Sequence, residues 1–390
     1  MQHILTINAG SSSIKFALFG PGGEPVERVR GMVEELGVRP RFRAQAGGEV
    51  LVDRALPAGE VGDHAAALDL VLGLIGDRFR DAGIAGVGHR VVHGGPGHDR
   101  PALIDDRVLA GLEDLSPLAP LHQPHNLSGI RAARAAFPDA AQVACFDTAF
   151  HRTHAWTEDV FALPREFHEA GVRRYGFHGL SYEYVAGRLQ EIEPAAARGK
   201  VIVCHLGNGA SMCALHDGRS MASTMGFTAL DGLAMGTRCG QIDPGVLLYL
   251  MQQRGMSPDE IEDLLYRRSG LLGLSGLSHD MRVLEQADSE EARRAIGYFI
   301  ARARREIGAL GAVLGGLDML VFCAGIGENG AAVRASICRD FGWLGIELDE
   351  TRNRAGEPVI SAPGSRVIVR VVETDEEIMI ARHTAALLAG

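Results

Sequence analysis

A chain of 390 residues with 46% apolar side chains has material for two or three domains, each with its own core. Its formal charge of −10 argues against nucleic acid as a partner, because a phosphate-backbone binder needs a basic face. No apolar run approaches a membrane span, and a strand pattern begins almost at once where an export signal would carry a basic and then an apolar stretch.

A cytoplasmic protein is therefore expected, with no membrane partner. The six cysteines form no CxxC pair and no zinc-like spacing, and they read as free thiols of a reducing compartment. Glycine is abundant at 50 residues without any low-complexity tract, so it is spread through turns and loops.

In chain order, apolar runs predict strands over 4–7, 14–19, 86–92, 141–146, 201–205, 211–215, 319–323 and 366–372, with helical patterns between them. The clearest helix is expected over 295–314, where Ile296, Phe299, Ile300, Ala303, Ile307, Leu310 and Leu314 recur at helical spacing. The class is mixed α/β.

The first two strands enclose "NAGSSS" and are followed by Lys15. Of 39 basic side chains only Lys15 and Lys200 are lysine, so this chain uses arginine for generic surface charge. A compact ammonium suits a point contact to phosphate, whereas a leftover surface lysine is the plain alternative. The stretch is not a Walker loop, which needs glycine before its lysine and a helix after it; here Ile14 precedes and a strand follows.

The same pattern returns later. "ILTINAGSSSIKFALF" from Ile4 lies without a gap on "VIVCHLGNGASMCALH" from Val201, with Gly10 on Gly207 and Ala17-Leu18 on Ala214-Leu215. Each copy reads as strand, glycine-bearing turn, strand. Two similar lobes follow, whose hairpins could hold a polyphosphate through turn N–H groups.

Further polar positions lie in loops or at strand ends: Arg90 in "VGHRVVHGG", His122 in "PLAPLHQPHN", Asp147 in "VACFDTAFH", His178 in "YGFHGLS" and Arg238 in "LAMGTRCGQIDPG". "VFCAGIGENG" reads as a strand, a Gly-x-Gly turn and a helix start, which can seat part of a nucleotide. Singly, each has a plain reading: a satisfied loop histidine, a solvated arginine, a helix-capping aspartate. Together they point to phosphoryl transfer, where catalysis is positioning plus neutralisation of charge on the migrating group.

The ordered motifs "LTINAGSSSIK", "HRVVHGG", "LAPLH", "CFDTAFH", "YGFHGLS", "HLGNGAS", "GLAMGTR", "GIGEN" and "TDEE" resemble those of the acetate kinases along essentially the whole chain. The resemblance implies an α/β fold with two lobes of duplicated actin-like, sugar-kinase-like ATPase topology and an interlobe nucleotide cleft. The lobes would be 1–147 with the C-terminal helix 378–390, and 148–377. It also implies a cytoplasmic homodimer that transfers phosphate reversibly from ATP to acetate with magnesium, or manganese as an alternative, giving acetyl phosphate and ADP.

Residue roles come with the resemblance. Asp147, Arg90, Arg238, His178 and His122 match catalytic positions. Asn8 and Glu376 match metal positions. Lys15, Ser11, Ser13, His205, Leu206, Gly207, Asn208, Gly209, Asp280, Met281, Arg282, Gly325, Ile326, Gly327, Glu328 and Asn329 match nucleotide-binding positions. Arg90, Val92, Leu121 and Ala229 match the substrate pocket. Asp147 is expected chiefly to order the metal and its waters, because acetate is already ionised at neutral pH and needs no base.

Three residues depart from the family pattern: Ala229 replaces a proline, Gln123 an asparagine and Gln241 an aspartate. Ala229 is expected to enlarge the acyl pocket and keep propionate as an alternative substrate. Gln241, three residues from Arg238, is expected to remove a charge that helps to orient that arginine. Two other classes compete: an ATPase of the same superfamily acting on a protein partner, and a paralogue with a dead site.

Overall fold

The computed structural model describes residues 3–10, 13–20, 22–57, 59–79, 83–120 and 122–390; Ser11 and Leu121 lie outside these. The chain forms two compact units, one of residues 1–150 with 375–390 and the other of residues 151–374.

The first unit is built on a sheet of eight strands: β1 (His3–Ala9), β2 (Ile14–Gly20), β3 (Val26–Glu34), β4 (Arg41–Ala46), β5 (Glu49–Ala55), β6 (Ile84–Val91), β7 (Ala102–Leu103) and β8 (Ala141–Phe146). Their spatial order is β5-β4-β3-β2-β1-β6-β8-β7. Strands β1, β6 and β8 run parallel, and β2 to β5 form an antiparallel meander beside β1.

One face of this sheet carries Leu5, Ile7, Phe16 and Leu18 against Ala67, Leu68, Val71 and Ile75 of the helix His64–Arg78. The other face, with Ile4, Ala17 and Phe19, is covered by Ala381 of the C-terminal helix Glu376–Ala389. That helix comes so close to β6 that a Cβ at Gly88 would lie 2.3 Å from Thr384 Oγ1 and 2.5 Å from Ile380 Cγ2. Gly88 therefore sets where the helix lies.

The second unit has a sheet of five strands: β9 (Lys200–Leu206), β10 (Ala210–His216), β11 (Arg219–Ser223), β12 (Met319–Cys323) and β13 (Ile368–Val371). Their order is β11-β10-β9-β12-β13, with β9, β12 and β13 parallel and β10 and β11 antiparallel. This repeats β3-β2-β1-β6-β8 in both order and direction. The sequence echo thus marks a duplicated topology.

The echo is not gap-free in three dimensions. Ala9 pairs with Ile14, but Leu206 pairs with Ala210, so the second hairpin turn is one residue shorter. Lys15 stands opposite Asn8, and it is Ser211, not Met212, that stands opposite His205. Both hairpins are buried on both faces, so no apolar alternation marks the slip in the sequence.

The long helix spans Glu290–Leu314 and starts earlier than its apolar stripe, because Ser289 caps it by accepting from Ala292 N–H and two glutamates fill its first turn. Gly315 ends it in the left-handed conformation. Among the described residues no helix is long and apolar enough to cross a membrane. All six cysteines are free; five are buried and Cys239 is half-buried.

Candidate active site

In the first unit, three parallel strands deliver polar residues at their carboxyl ends, where open α/β sheets bind ligands. Asn8 lies near the end of β1, Arg90 near the end of β6, and Asp147 just beyond β8. Arg90 donates from Nε to Asp147 Oδ1 at 2.9 Å and from Nη2 to Oδ2 at 2.6 Å. Its Nη1 donates to Asn8 Oδ1 at 3.2 Å and stands 3.7 Å from Glu376 Oε2. Asn8 Nδ2 in turn donates to Glu376 Oε2 at 3.0 Å and Glu377 Oε1 at 3.1 Å. The site residues Asn8, Arg90, Asp147 and Glu376 thus form one network.

The Asp147 side chain is 1% exposed and that of Arg90 14%. Burial works against the Arg90 charge, but Asp147 and Glu376 outweigh it and hold the guanidinium above its ordinary pKa. Glu377 is a member that the sequence did not single out. Burial pushes its carboxyl up, with Lys15 pulling the other way. Lys15 is exposed on β2 beside Asn8, so its ammonium belongs to the same electrostatic group.

The strand end that carries Arg90 is held by the helix Gln123–Ala136. Asn126 accepts from Val92 N–H at 3.0 Å and donates to Ala9 O at 3.1 Å. Gln123 accepts from His93 N–H at 3.2 Å and donates to the carbonyls of His93 and Leu112, both at 3.1 Å. Gln123 is a buried strut. His122 sits half-buried at the start of that helix, Val92 is buried, and Ser13 accepts from Gly10 N–H through its carbonyl at 2.8 Å.

The second unit gathers its own set around the β9–β10 turn. Gly209 lies so close to two side chains that a Cβ there would be 2.7 Å from Arg238 Nη2 and 3.3 Å from His178 Nε2. His178 Nδ1 shares a hydrogen bond of 2.8 Å with Ser211 Oγ, which also meets Tyr182 OH at 2.5 Å. The His178 and His205 rings stack with centroids 4.1 Å apart, and His205 Nδ1 meets Ser181 Oγ at 2.8 Å. Ser211 and Tyr182 were not legible as site residues; the register slip hides the first and the buried helix face Gly179–Ile192 the second.

Arg238 is oriented by its Nη1 bond to the Ala229 carbonyl at 2.6 Å. The Gln241 amide accepts from Arg302 Nη2 at 2.5 Å, on the long helix. The role of Ala229 here is a backbone one, which a change of side chain leaves in place.

The nucleotide-type segments also fall in the second unit. Gly207 donates to Gly209 O at 3.1 Å across the turn, with Leu206 buried and Asn208 exposed. Asp280 caps the short helix Met281–Gln286 by accepting from Arg282 N–H, with Met281 buried and the Arg282 side chain 83% exposed. The Gly-x-Gly of "GIGENG" is not a turn ahead of a helix, as expected from sequence. The helix already starts at Ala324, whose φ of 61° makes the corner, so Gly325, Ile326 and Gly327 lie in its first turn. Glu328 Oε1 accepts from Ala324 N–H at 2.8 Å and Thr374 N–H at 3.1 Å, and Asn329 donates to Gly325 O at 2.9 Å.

Among the described residues no three His, Cys, Asp or Glu side chains gather into a metal cage. Asn8 and Glu376 offer hard oxygens of the type that hold magnesium by one or two protein ligands, with water and substrate phosphates completing the shell.

Comparison with known proteins agrees with this chemistry. The acetokinase family model matches residues 3–382. An acetate kinase of Methylocella silvestris is 56% identical, covering 99% of this chain and 98% of its own. The crystal structure of Porphyromonas gingivalis acetate kinase is 38% identical, with a TM-score of 0.85 over all of both chains. A propionate kinase from Francisella tularensis is 36% identical, with a TM-score of 0.91 over 99% of this chain and all of its own.

Proposed function

Because the chain belongs to the acetokinase family, we propose that it transfers the γ-phosphoryl group of ATP to acetate, reversibly, giving acetyl phosphate and ADP. The observation that carries the reading is the meeting of Arg238 and His178 over Gly209. No Cβ stands between the two tips and the phosphate-type turn, so a cation and a ring N–H can address the oxygens of the migrating group.

The roles divide as follows. Acetate binds against Arg90, and Val92, Leu121 and Ala229 are the positions that match the family's substrate pocket. An acetate oxygen attacks the γ-phosphorus, the bond to the β–γ bridging oxygen breaks, and its electron pair stays on ADP. No proton moves at neutral pH, because acetate is ionised and a base has nothing to remove. Arg238 and His178 carry the charge on the phosphoryl oxygens, with His122 as a further donor. Asp147 holds the Arg90 guanidinium in the plane that a bidentate carboxylate contact needs, and it would also order the metal and its waters.

Lys15, Ser11, Ser13, the turn His205, Leu206, Gly207, Asn208 and Gly209, the segment Asp280, Met281 and Arg282, and the helix turn Gly325, Ile326, Gly327, Glu328 and Asn329 hold the nucleotide. Asn8 and Glu376 would hold magnesium, or manganese in its place. The ion supplies neutralisation of charge on the β- and γ-phosphate oxygens.

The protein acts as a cytoplasmic homodimer in this reading. Five buried free thiols suit a reducing compartment. The helix Pro244–Arg254 buries none of its residues and exposes Val246, Leu248, Tyr249 and Met251, which suits a second copy. A second substrate, propionate, is favoured by Ala229 and by the likeness to the propionate kinase.

The deciding experiment is ADP release from Mg-ATP with acetate, propionate, butyrate or no acid. Strong stimulation by acetate is expected. Equal release with and without acid would instead identify an ATPase, and none at all a dead site.

A further inference from the structure

The turn that carries His178 is under constraint. His178 has φ 58° and ψ 26°, in the left-handed region that a non-glycine residue occupies only when its surroundings dictate it. Rotation about φ of His178 is rotation against the Phe177–His178 peptide plane. Whatever fixes the Phe177 carbonyl therefore fixes the plane against which that rotation is set, and removes one of the two motions that could turn the imidazole away.

That carbonyl is held by His151, whose Nε2 lies 2.9 Å from Phe177 O. His151 is fully buried and also lies under Gly176, where a Cβ would come within 2.5 Å of its ring. Gly176 has φ 73°, so its freedom from a side chain is needed twice over.

The hydrogen-bond roles then follow in sequence. A carbonyl only accepts, so His151 Nε2 carries the proton. The ring is neutral, since burial pushes its pKa down to about 3. His151 Nδ1 is therefore a bare acceptor, and Ser220 Oγ–H at 2.8 Å donates to it. With its proton committed, Ser220 Oγ accepts from His154 Nε2–H at 2.8 Å. Cys213 Sγ stands 3.2 Å from the same hydroxyl. A directed chain runs from His154 through Ser220 and His151 to the peptide ahead of His178. None of His151, His154 and Ser220 belongs to the site described above.

We propose that His151 is a positioning residue for phosphoryl transfer, which pins the Phe177–His178 peptide plane so that His178 keeps its left-handed conformation and its aim at Gly209 and Arg238. This rests on the reading of His178 as a catalytic group.

The test compares ADP release by wild type, His151→Leu, His151→Gln, Ser220→Ala, His178→Ala and the double variant His151→Leu/His178→Ala, with acetate and Mg-ATP varied in turn. His151→Leu is expected to lower kcat by about 10–100-fold while KM for both substrates changes by less than about 2-fold. His151→Gln keeps an N–H for the Phe177 carbonyl and should recover most of the loss. In the His178→Ala background, His151→Leu should cost less than about 2-fold more, because its partner is already gone.

A full further loss in that background, or wild-type kcat in His151→Leu, overturns the proposal. Where His151→Leu fails to fold, Ser220→Ala carries the test, with a smaller fall in kcat expected and unchanged kcat overturning it. If His178→Ala itself keeps full turnover, the catalytic reading of His178 fails. Imidazole NMR then decides the positioning: a shifted His178 ring signal in His151→Gln or Ser220→Ala supports it, and an unmoved one refutes it.

Discussion

Arg90 and Asp147 stand 57 residues apart in the chain and meet through two parallel hydrogen bonds, Nε to Oδ1 at 2.9 Å and Nη2 to Oδ2 at 2.6 Å. Each side chain is buried with the other as its counter-charge. Arg90→Ala should therefore remove more than a substrate contact. It strands a buried carboxylate and should lower stability by roughly 3–5 kcal/mol in urea unfolding. Arg90→Lys should fold better but lose turnover, because an ammonium cannot make the paired contact.

Arg238 donates to the Ala229 carbonyl and packs closely on Gly209. Arg238→Ala is expected to fold normally, keep KM for ATP within a few-fold, and lose about 10²–10³ in kcat. Turnover close to wild type would remove Arg238 from the chemistry.

Gly88 and the C-terminal helix give a prediction about assembly. Gly88→Ala forces a methyl into Thr384 and Ile380 and should cost about 1–3 kcal/mol in unfolding free energy. The displaced helix start carries Glu376, so the magnesium concentration for half-maximal turnover should rise as well. A variant with lost stability and unchanged metal dependence would separate the helix packing from the site.

Stability should fall in mild acid for a reason unrelated to the charged site. Burial lowers the pKa of His89 to about 4, His151 to about 3 and His154 to about 4. In the unfolded chain each takes up its proton near 6.5, so the unfolded state binds more protons below that pH and stability is lost as pH drops from about 6.5 towards 4. Each histidine adds about 1.4 kcal/mol per pH unit to the slope in that window. Urea unfolding between pH 6 and 5 checks this, and His151→Gln should reduce the slope by one proton. A flat profile would refute the assignment of these rings as neutral.

The acyl pocket can be probed at position 229, where the family pattern has proline. Ala229→Pro keeps the carbonyl that holds Arg238, so turnover with acetate should survive. If the Ala229 side chain helps to size the pocket, the propionate-to-acetate ratio of kcat/KM should drop by about 10-fold or more. An unchanged ratio would locate the selectivity elsewhere.

The strands that bear the site were legible because they are apolar runs ending in glycine, charge or amide, as at β1, β6, β8, β9 and β12. The meander β3–β5 was not, since β4 buries only Phe42 and Ala44 between exposed polar residues and β5 buries none of its own, so no apolar run marks either strand. Asn8, Arg90 and Asp147 could be named from sequence, because the ordered motifs that hold them match those of the family and not because a polar strand end is telling by itself. Glu377, Asn126, Ser211 and Tyr182 could not, because their work is to hold other side chains and only three-dimensional neighbours reveal it. The Ala229 carbonyl leaves no trace in a sequence at all.

The helix Glu376–Ala389 completes the first unit from the far end of the chain. Strands β1 and β6 lie far ahead of it in the chain, and the face around Gly86 and Gly88 is covered only once Ile380, Thr384 and Leu388 pack there. A variant in which this helix is undocked therefore lacks both Glu376 at its place and the cover over that apolar surface. Without the helix the charge network around Asn8 loses Glu376 and Glu377, and the apolar face it covers is open to aggregation.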